Sequence, residues 1–487
     1  MEKVIAWLRE NWFLVLILVV GAFLRLYRIG DYMTFLGDEG RDLIIVRRLL
    51  VNFDPILIGP GTSIGQMYLG PIYYYMIAPF LWLAGFSPVG PAVFIALLGV
   101  ATIYFVYHVG KEWFGRLAGW TAAALYAVSP TVIIHSHSSW NPNIMPFFSL
   151  LTIYSLWKVW SKKKYKWLIV LGASFAIVLQ SHYLGVLMLP VIILFLVKSR
   201  PPAYYLLRAT LLFAIFMSPL LLFDLRHNFM NLKALKVFLF ESDGSFSFNF
   251  LGNLWLNFKL VVTRLIAGRN VFAGTALAVS FVFAVIYGFY KKFHLRNPSY
   301  YLLLSWLGIG ILGLSFYRNE IYDHYFGFLF PAAYLFFAGL TQLFLDKFKG
   351  YGRLIVIAVV AILLAVNLAA NPFLRPGNKQ LQRAIEVSAK IGQEAKGNPF
   401  NIAVVAERNY EDGYQYFLEK EGRPVVEIDA QLPNTVTDQL FVICEKLPEE
   451  CDPTHSSKAE VANFGWSKIE AEWEVMGVTI YKLVHTK

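Results

Sequence analysis

Charge is the scarcest thing in this chain. Only 15% of its 487 residues are Asp, Glu, Lys or Arg, against about 25% in an ordinary soluble domain. So little charge cannot clothe a globular surface. The shortage excludes a soluble enzyme and a disordered regulator. Cysteine is scarcer still, with Cys444 and Cys451 alone. Two thiols exclude a disulfide scaffold and a cysteine metal framework. No period of 20–50 residues recurs and no matching halves show, which weakens a transporter built from internal repeats. Apolar residues fill the gap: 57% are hydrophobic and 17% aromatic, and mean hydropathy is +0.53. The class is a polytopic membrane protein. The net charge of +11 then reflects the bias of basic residues to inner loops, and a nucleic-acid partner is not expected.

The charge is unevenly placed. From Phe373 onward the chain has 13 basic and 18 acidic residues, which leaves 30 and 14 before it. The chain therefore divides into a basic apolar part, 1–372, and an acidic polar tail, 373–487. The tail reads as α/β. Runs at 401–406, 424–428 and 439–444 look like strands, 475–484 like a last strand or hairpin arm, and 411–421 and 459–464 like helices. Capping the bundle or contacting an acceptor is the role that suits it. Cys444 and Cys451 either bridge, in an oxidising compartment, or remain two inert thiols.

A spanning helix needs about 20 apolar residues. Spans are expected near 12–26, 88–109, 117–134, 142–157, 167–181, 183–197, 204–223, 272–290, 300–317, 324–345 and 354–370, about 11 in all. Segment 68–83 is also apolar, but counting it would move every later basic loop to the outer face. With an inner N-terminus and 68–83 lying at the outer interface, the inner loops carry Lys111 and Arg116, then Lys162, Lys163, Lys164 and Lys166. Lys198, Arg200 and Arg208 follow, then Lys291, Lys292 and Arg296, and then Lys347, Lys349 and Arg353. The first outer loop is 30–87, with interfacial helices, and the tail also lies outside. The first span stays as an anchor, because Arg25 and Arg28 follow it without a small-residue cleavage site.

This topology puts ten of the 14 early acids outside: Asp31, Asp38, Glu39, Asp42, Asp54, Asp224, Glu241, Asp243, Glu320 and Asp323. The segment LRLYRIGDYMTFLGDEGRDLIIVRR, 24–48, gathers four of them among arginines. Asp38 and Glu39 stand at the start of an expected helix, 39–51. One reading makes them a helix cap favoured by the dipole; the other gives them acid–base work. Arg25, Arg28 and Arg41 either snorkel or hold an anionic lipid headgroup. Asp42 joins them as a candidate for the substrate cavity.

Other outer turns add polar groups. Tyr317–Tyr325 places Arg318 for a lipid phosphate and His324 and Tyr325 for its headgroup, or forms an interfacial tyrosine belt. His135-Ser136-His137 has the form of a metal pair, yet no third ligand adjoins it; a divalent metal stays open and no other cofactor is implied. His137 and Asn141, with Gln180, His182 and Tyr183 from the next turn, suit the lining of a sugar cavity, since polar groups at membrane depth usually face one; bonding between helices is the alternative. The glycine-rich 59–65 lacks a phosphate-loop lysine and reads as a lid or linker. The long outer loop from Asp224 to Arg269 receives no role.

The ordered series resembles GT-C glycosyltransferases, most of all family 39, the protein O-mannosyltransferase-like enzymes, and the lipid A aminoarabinose transferases. The resemblance rests on LRLYRIGDYMTFLGDEGRD, then Gly70-Pro71-Ile72-Tyr73-Tyr74-Tyr75 and Lys111-Glu112-Trp113-Phe114-Gly115-Arg116. Ser129-Pro130 and an echo at 323–331 complete it. Gly70 departs from the proline usual there. The resemblance implies a GT-C bundle that moves a sugar from a polyprenyl-phosphate donor to a lipid, glycan or protein acceptor on the outer face of a cell membrane. Carried onto this chain, it makes Asp38 the base for a single inverting displacement, with Glu39 in support. A transporter or flippase of lipid-linked sugars is the competing reading, and a non-catalytic glycan-binding partner a third.

Overall fold

The computed structural model describes residues 2–238, 249–290, 297–348 and 350–486. Lys291, Lys292, Arg296, Lys349, Glu241 and Asp243 lie outside the described residues. Within them, six helices are long and apolar enough to cross a membrane: Val89–Phe114, Ala203–Arg226, Val271–Gly288, Pro298–Ser315, Asp323–Lys347 and Tyr351–Ala369. Shorter apolar helices stand at Trp12–Leu26, Ile72–Leu83, Trp167–Ser181 and Tyr183–Ser199. The Ile72–Leu83 helix has 12 residues, about 18 Å at 1.5 Å per residue, which is too short for a bilayer core.

The bundle departs from the expected spans where backbone chemistry intervenes. Segment 117–134 is two helices, Arg116–Val128 and Pro130–His135, because Pro130 has no N–H to continue the ladder. Segment 183–197 opens as a 3₁₀ turn, Tyr183–Met188, before Leu189–Ser199. The unassigned loop 224–269 contains helices Met230–Lys236 and Phe250–Val261, the second running on as a π turn, Val262–Ile266. Asn253 and Asn257 tie that second helix to Ser315. These asparagines make it look polar in sequence, although its other side packs into the bundle core.

The tail holds a four-stranded sheet of order β1-β2-β4-β3: β1 Asn401–Val405, β2 Gln439–Cys444, β3 Ser467–Val475 and β4 Val478–His485. β1 and β2 are parallel, and the other two pairs are antiparallel. Alternation divides the sheet between two cores. Ile402, Val404, Phe441, Ile443 and Ile480 face one, and Ala403, Val405, Leu440, Val442 and Leu483 the other. The expected strand 424–428 is not one. Only Val425 bridges Phe400, since Pro424 lacks a donor and Asn401 draws the Val426 carbonyl aside. β3 went unread because an edge strand written Ser-Lys-Ile-Glu-Ala-Glu-Trp-Glu-Val leaves most of its residues partly or fully exposed. Cys444 and Cys451 form a disulfide.

The tail and the first loop share one apolar core. Phe35, Leu43 and Ile44 of the loop and Tyr74, Ile77 and Leu81 of the helix Ile72–Leu83 pack in a cluster with Leu381, Val387, Tyr416 and Phe417 of the tail. The helix Gln380–Glu394 supplies part of that cluster. Gly40 is where the loop helix Gly37–Asn52 meets the tail helix Asp412–Lys420. A Cβ on Gly40 would lie 2.4 Å from the Asp412 carbonyl carbon and the Gly413 nitrogen, and backbone cannot swing away. Gly40→Ala is therefore expected to lower the Tm of the purified protein by several degrees; an unchanged Tm would contradict this packing.

Candidate active site

Turns that are remote in sequence meet around a cavity of about 320 Å³. Asp38 and Arg41 come from the start of the loop helix, and Thr62 and Ser63 from the glycine-rich loop. Trp140 and Asn141 come from the turn before the helix Met145–Trp160, His182 and Tyr183 from the turn after the helix Trp167–Ser181, and Tyr322, His324 and Tyr325 from the turn before the helix Phe330–Lys347. Its wall is aromatic: the His182 ring lies 4.4 Å from Tyr183 and 5.4 Å from Tyr325, and His324 lies 4.6 Å from Trp140. Burial pushes the His182 imidazole down to about 3, so it meets a substrate uncharged. An aromatic wall with a few convergent polar groups is the usual make-up of a small-molecule site.

Asp38 is the acidic side chain on this cavity, and it is held on one side only. Its Oδ1 accepts from Arg41 Nη1 at 2.9 Å and from the Tyr410 hydroxyl. Among the described residues none bonds its Oδ2. Arg41 is a fork between two carboxylates: Nη2 reaches Asp42 Oδ1 at 2.8 Å while Nη1 holds Asp38. Asp42 is wholly buried and also accepts from Tyr74 at 3.0 Å. Burial pulls the Arg41 guanidinium down, but Asp42, Tyr74, Tyr410 and Asp38 together raise it above its ordinary value.

Seven residues expected at the site line the cavity: Asp38, Arg41, Asn141, His182, Tyr183, His324 and Tyr325. The other seven are placed elsewhere. Glu39 turns back to accept from the Leu36 amide at 3.1 Å, a capping-box bond. Asp42 sits behind Arg41. Arg25 is fully buried and donates to the carbonyls of Gly21, Tyr126 and Ala127, so it caps the end of the helix Arg116–Val128 and not a phosphate. Arg28 pairs with Asp31 at 2.6 Å. His137 is buried against the Leu24 carbonyl. Gln180 bonds the Ile72 amide and the Phe216 carbonyl. A Cβ on Gly70 would lie 2.2 Å from the Gln180 side chain, which favours glycine at this position. Arg318 stands exposed on its loop.

Sequence reasoning missed Tyr410, Trp140 and Tyr322, and two arginines of the unassigned loop. Arg264 and Arg269 both grip Asp323, the neighbour of His324. Arg269 Nε also reaches Thr131. They put two guanidiniums beside the cavity's last turn. The nearest signal was their nearness to the end of the long outer loop. Among the described residues no group of three His, Cys, Asp or Glu side chains is placed to hold a metal ion.

Three acids at the junction with the tail hold their protons unusually tightly. Burial raises the Glu39 and Asp412 carboxyls to about 7 and that of Asp42 to about 6. Glu411 adds to the rise of Asp412, and Arg41 opposes that of Asp42. The unfolded values lie near 4. The stability these groups contribute is thus complete below about pH 4 and is lost as pH rises through about 6 to 7. Hydrogen exchange of the Gly37–Asn52 and Asp412–Lys420 helices, corrected for intrinsic rates, should be slower at pH 5 than at pH 8; equal protection would contradict the assignment.

The chain is similar to known proteins in part of its sequence and in its fold. Residues 69–223 match the family model described as dolichyl-phosphate-mannose-protein mannosyltransferase. ArnT from Cupriavidus metallidurans, in a structure bound to undecaprenyl phosphate, superposes with a TM-score of 0.62 at 11% identity. That match covers 97% of this chain and 98% of ArnT. The chain has the GT-C glycosyltransferase fold. It is a multi-pass membrane protein with a small sheet-bearing tail. The oligosaccharyltransferase AglB from Archaeoglobus fulgidus, in complex with an inhibitory peptide and a dolichol-phosphate, shares the GT-C fold more distantly. Its TM-score is 0.54 at 12% identity, over 90% of this chain and 70% of that one. No curated protein matches the chain by sequence.

Proposed function

We propose that this protein transfers a sugar from a polyprenyl-phosphate donor to an acceptor hydroxyl on the outer face of the membrane. The observation that carries the reading is Asp38, which lines the cavity with its Oδ1 pinned by Arg41 and Tyr410 and, among the described residues, no partner on its Oδ2. In the step, Asp38 takes the proton of the acceptor hydroxyl as its oxygen bonds to the anomeric carbon. The bond from that carbon to the phosphate oxygen breaks, and its electron pair leaves with the polyprenyl phosphate. A single displacement inverts the anomeric centre and needs no second carboxylate, unlike glycoside hydrolysis. Charge grows on the leaving phosphate, and Arg264 and Arg269 beside the last turn are the cations suited to offset it. The aromatic wall takes the sugar.

The binding of undecaprenyl phosphate by ArnT and of dolichol-phosphate by AglB supports a lipid-linked donor. The basic loops support an inner N-terminus and an outer tail. No donor set for a divalent metal is part of this mechanism. The test is stereochemical. Nuclear magnetic resonance of the product formed from an anomerically pure polyprenyl-phosphate sugar should show the opposite anomer. Retention of configuration would exclude the single displacement.

A further inference from the structure

The two glycines that flank the Asp38–Glu39 pair have a common reason. A Cβ on Gly37 would lie 2.4 Å from the Tyr410 ring, and one on Gly40 would collide with the Asp412 backbone. Both glycines therefore admit the same short piece of the tail, 409–412, onto the first turn of the loop helix. Tyr410 lies across that turn, and its hydroxyl donates to Asp38 Oδ1. Arg41 Nη1 donates in turn to the Tyr410 oxygen at 3.3 Å.

Tyr410 does not lie there by chance of a floppy loop. Asn409 is buried, and its Oδ1 accepts from the Gly37 amide at 2.9 Å and the Tyr410 amide at 3.0 Å. Its Nδ2 donates to Glu445 at 2.6 Å, which also accepts from Tyr414. The Asn409 side chain thus ties the Tyr410 amide to the Gly37 amide just before Asp38 and is itself anchored on Glu445.

We infer that the tail completes the active site, with Tyr410 as a positioning residue that fixes the Asp38 carboxylate through Oδ1 and presents Oδ2 to the acceptor. This rests on the reading of Asp38 as the base. A carboxylate 42% exposed and bonded by Arg41 alone would rotate about its terminal torsion, which has broad wells. Two donors on one oxygen, from different directions, hold the plane. A hydroxyl that acts through another group in this way alters the rate of the chemical step more than the binding of donor.

The test uses the full-length protein in membranes, with lipid-linked sugars extracted from radiolabelled cells as donor pool. Tyr410→Phe removes the hydroxyl and keeps the ring over Gly37. Tyr416→Phe is the control: it removes a hydroxyl from the same interface, one that donates to the Phe86 carbonyl at 2.7 Å and not to Asp38. Y410F is expected to lower the maximal rate about 10- to 100-fold, the worth of a hydrogen bond to a charged group. Its half-saturating donor concentration should not move, and Y416F should match wild type. A wild-type rate in Y410F, with Asp38→Asn inactive, would overturn this inference and spare the reading of Asp38. Equal losses in Y410F and Y416F, or a loss confined to half-saturation, would make Tyr410 merely structural and overturn it too. Full activity in Asp38→Asn would remove both.

Discussion

Asp38→Asn should reduce the rate of sugar transfer by about 10²- to 10⁴-fold, the usual contribution of a positioned base. Asparagine has nearly the shape of aspartate and still accepts a hydrogen bond through its carbonyl oxygen. The Arg41 contact and the loop helix should therefore survive, and with them the Tm. The amide nitrogen has no lone pair to take a proton, so the acceptor hydroxyl must attack without assistance. Donor binding should hold, because the aromatic wall and the arginines of the 262–270 turn are untouched. A photoreactive polyprenyl-phosphate analogue would check this by labelling variant and wild type alike. Wild-type transfer by the variant would remove Asp38 from the mechanism.

The second large effect belongs to Arg41. It is shared by exposed Asp38 and buried Asp42, and Asp42 Oδ2 is already without a partner in its burial. Arg41→Ala takes the cation from a carboxylate that has no access to water. Breaking such a pair from one side costs about 3–5 kcal/mol, so a clear fall in Tm is expected. Transfer should be lost as well, since Asp38 loses a bond to Oδ1. Lysine at 41 should rescue little, because a point charge cannot fork between two carboxylates. Adding Asp42→Asn to Arg41→Ala separates the two roles: no charge is then buried, so Tm should recover in part, while transfer stays low. Unchanged stability in Arg41→Ala would contradict the assignment.

These residues also show what a sequence can and cannot reveal here. The turns that line the cavity were legible because polar groups are rare in this chain and costly at membrane depth. Asp38–Arg41, Asn141, His182–Tyr183 and His324–Tyr325 were singled out by expected sidedness together with the family resemblance, which also singled out residues that do not line the cavity. Which way each side chain turns was not legible. Asp42 stands one helical turn after Asp38 and shares its face, yet Arg41 and Tyr74 hold it in the interior. Arg25 reads like a phosphate ligand, but it bonds helix-end carbonyls contributed more than 100 residues later. Tyr410 is 372 residues from Asp38, and no local pattern connects them. The helix Gln380–Glu394 escaped notice because Ala384, Ser388 and Gly392 make its buried face small. Its apolar spacing of Leu381, Val387 and Ile391 is visible only once the face is known.

The central claim is that the cavity at Asp38 makes a covalent product from a lipid-linked sugar. Reconstitution tests it most directly. Wild type and Asp38→Asn would be placed in liposomes with a radiolabelled polyprenyl-phosphate sugar and an acceptor fraction outside. Wild type is expected to move label from the lipid into acceptor, with release of the polyprenyl phosphate, and Asp38→Asn to leave it on the lipid. Label that crosses the bilayer still attached to its lipid, in both proteins and without transfer, would contradict the account and favour a transporter.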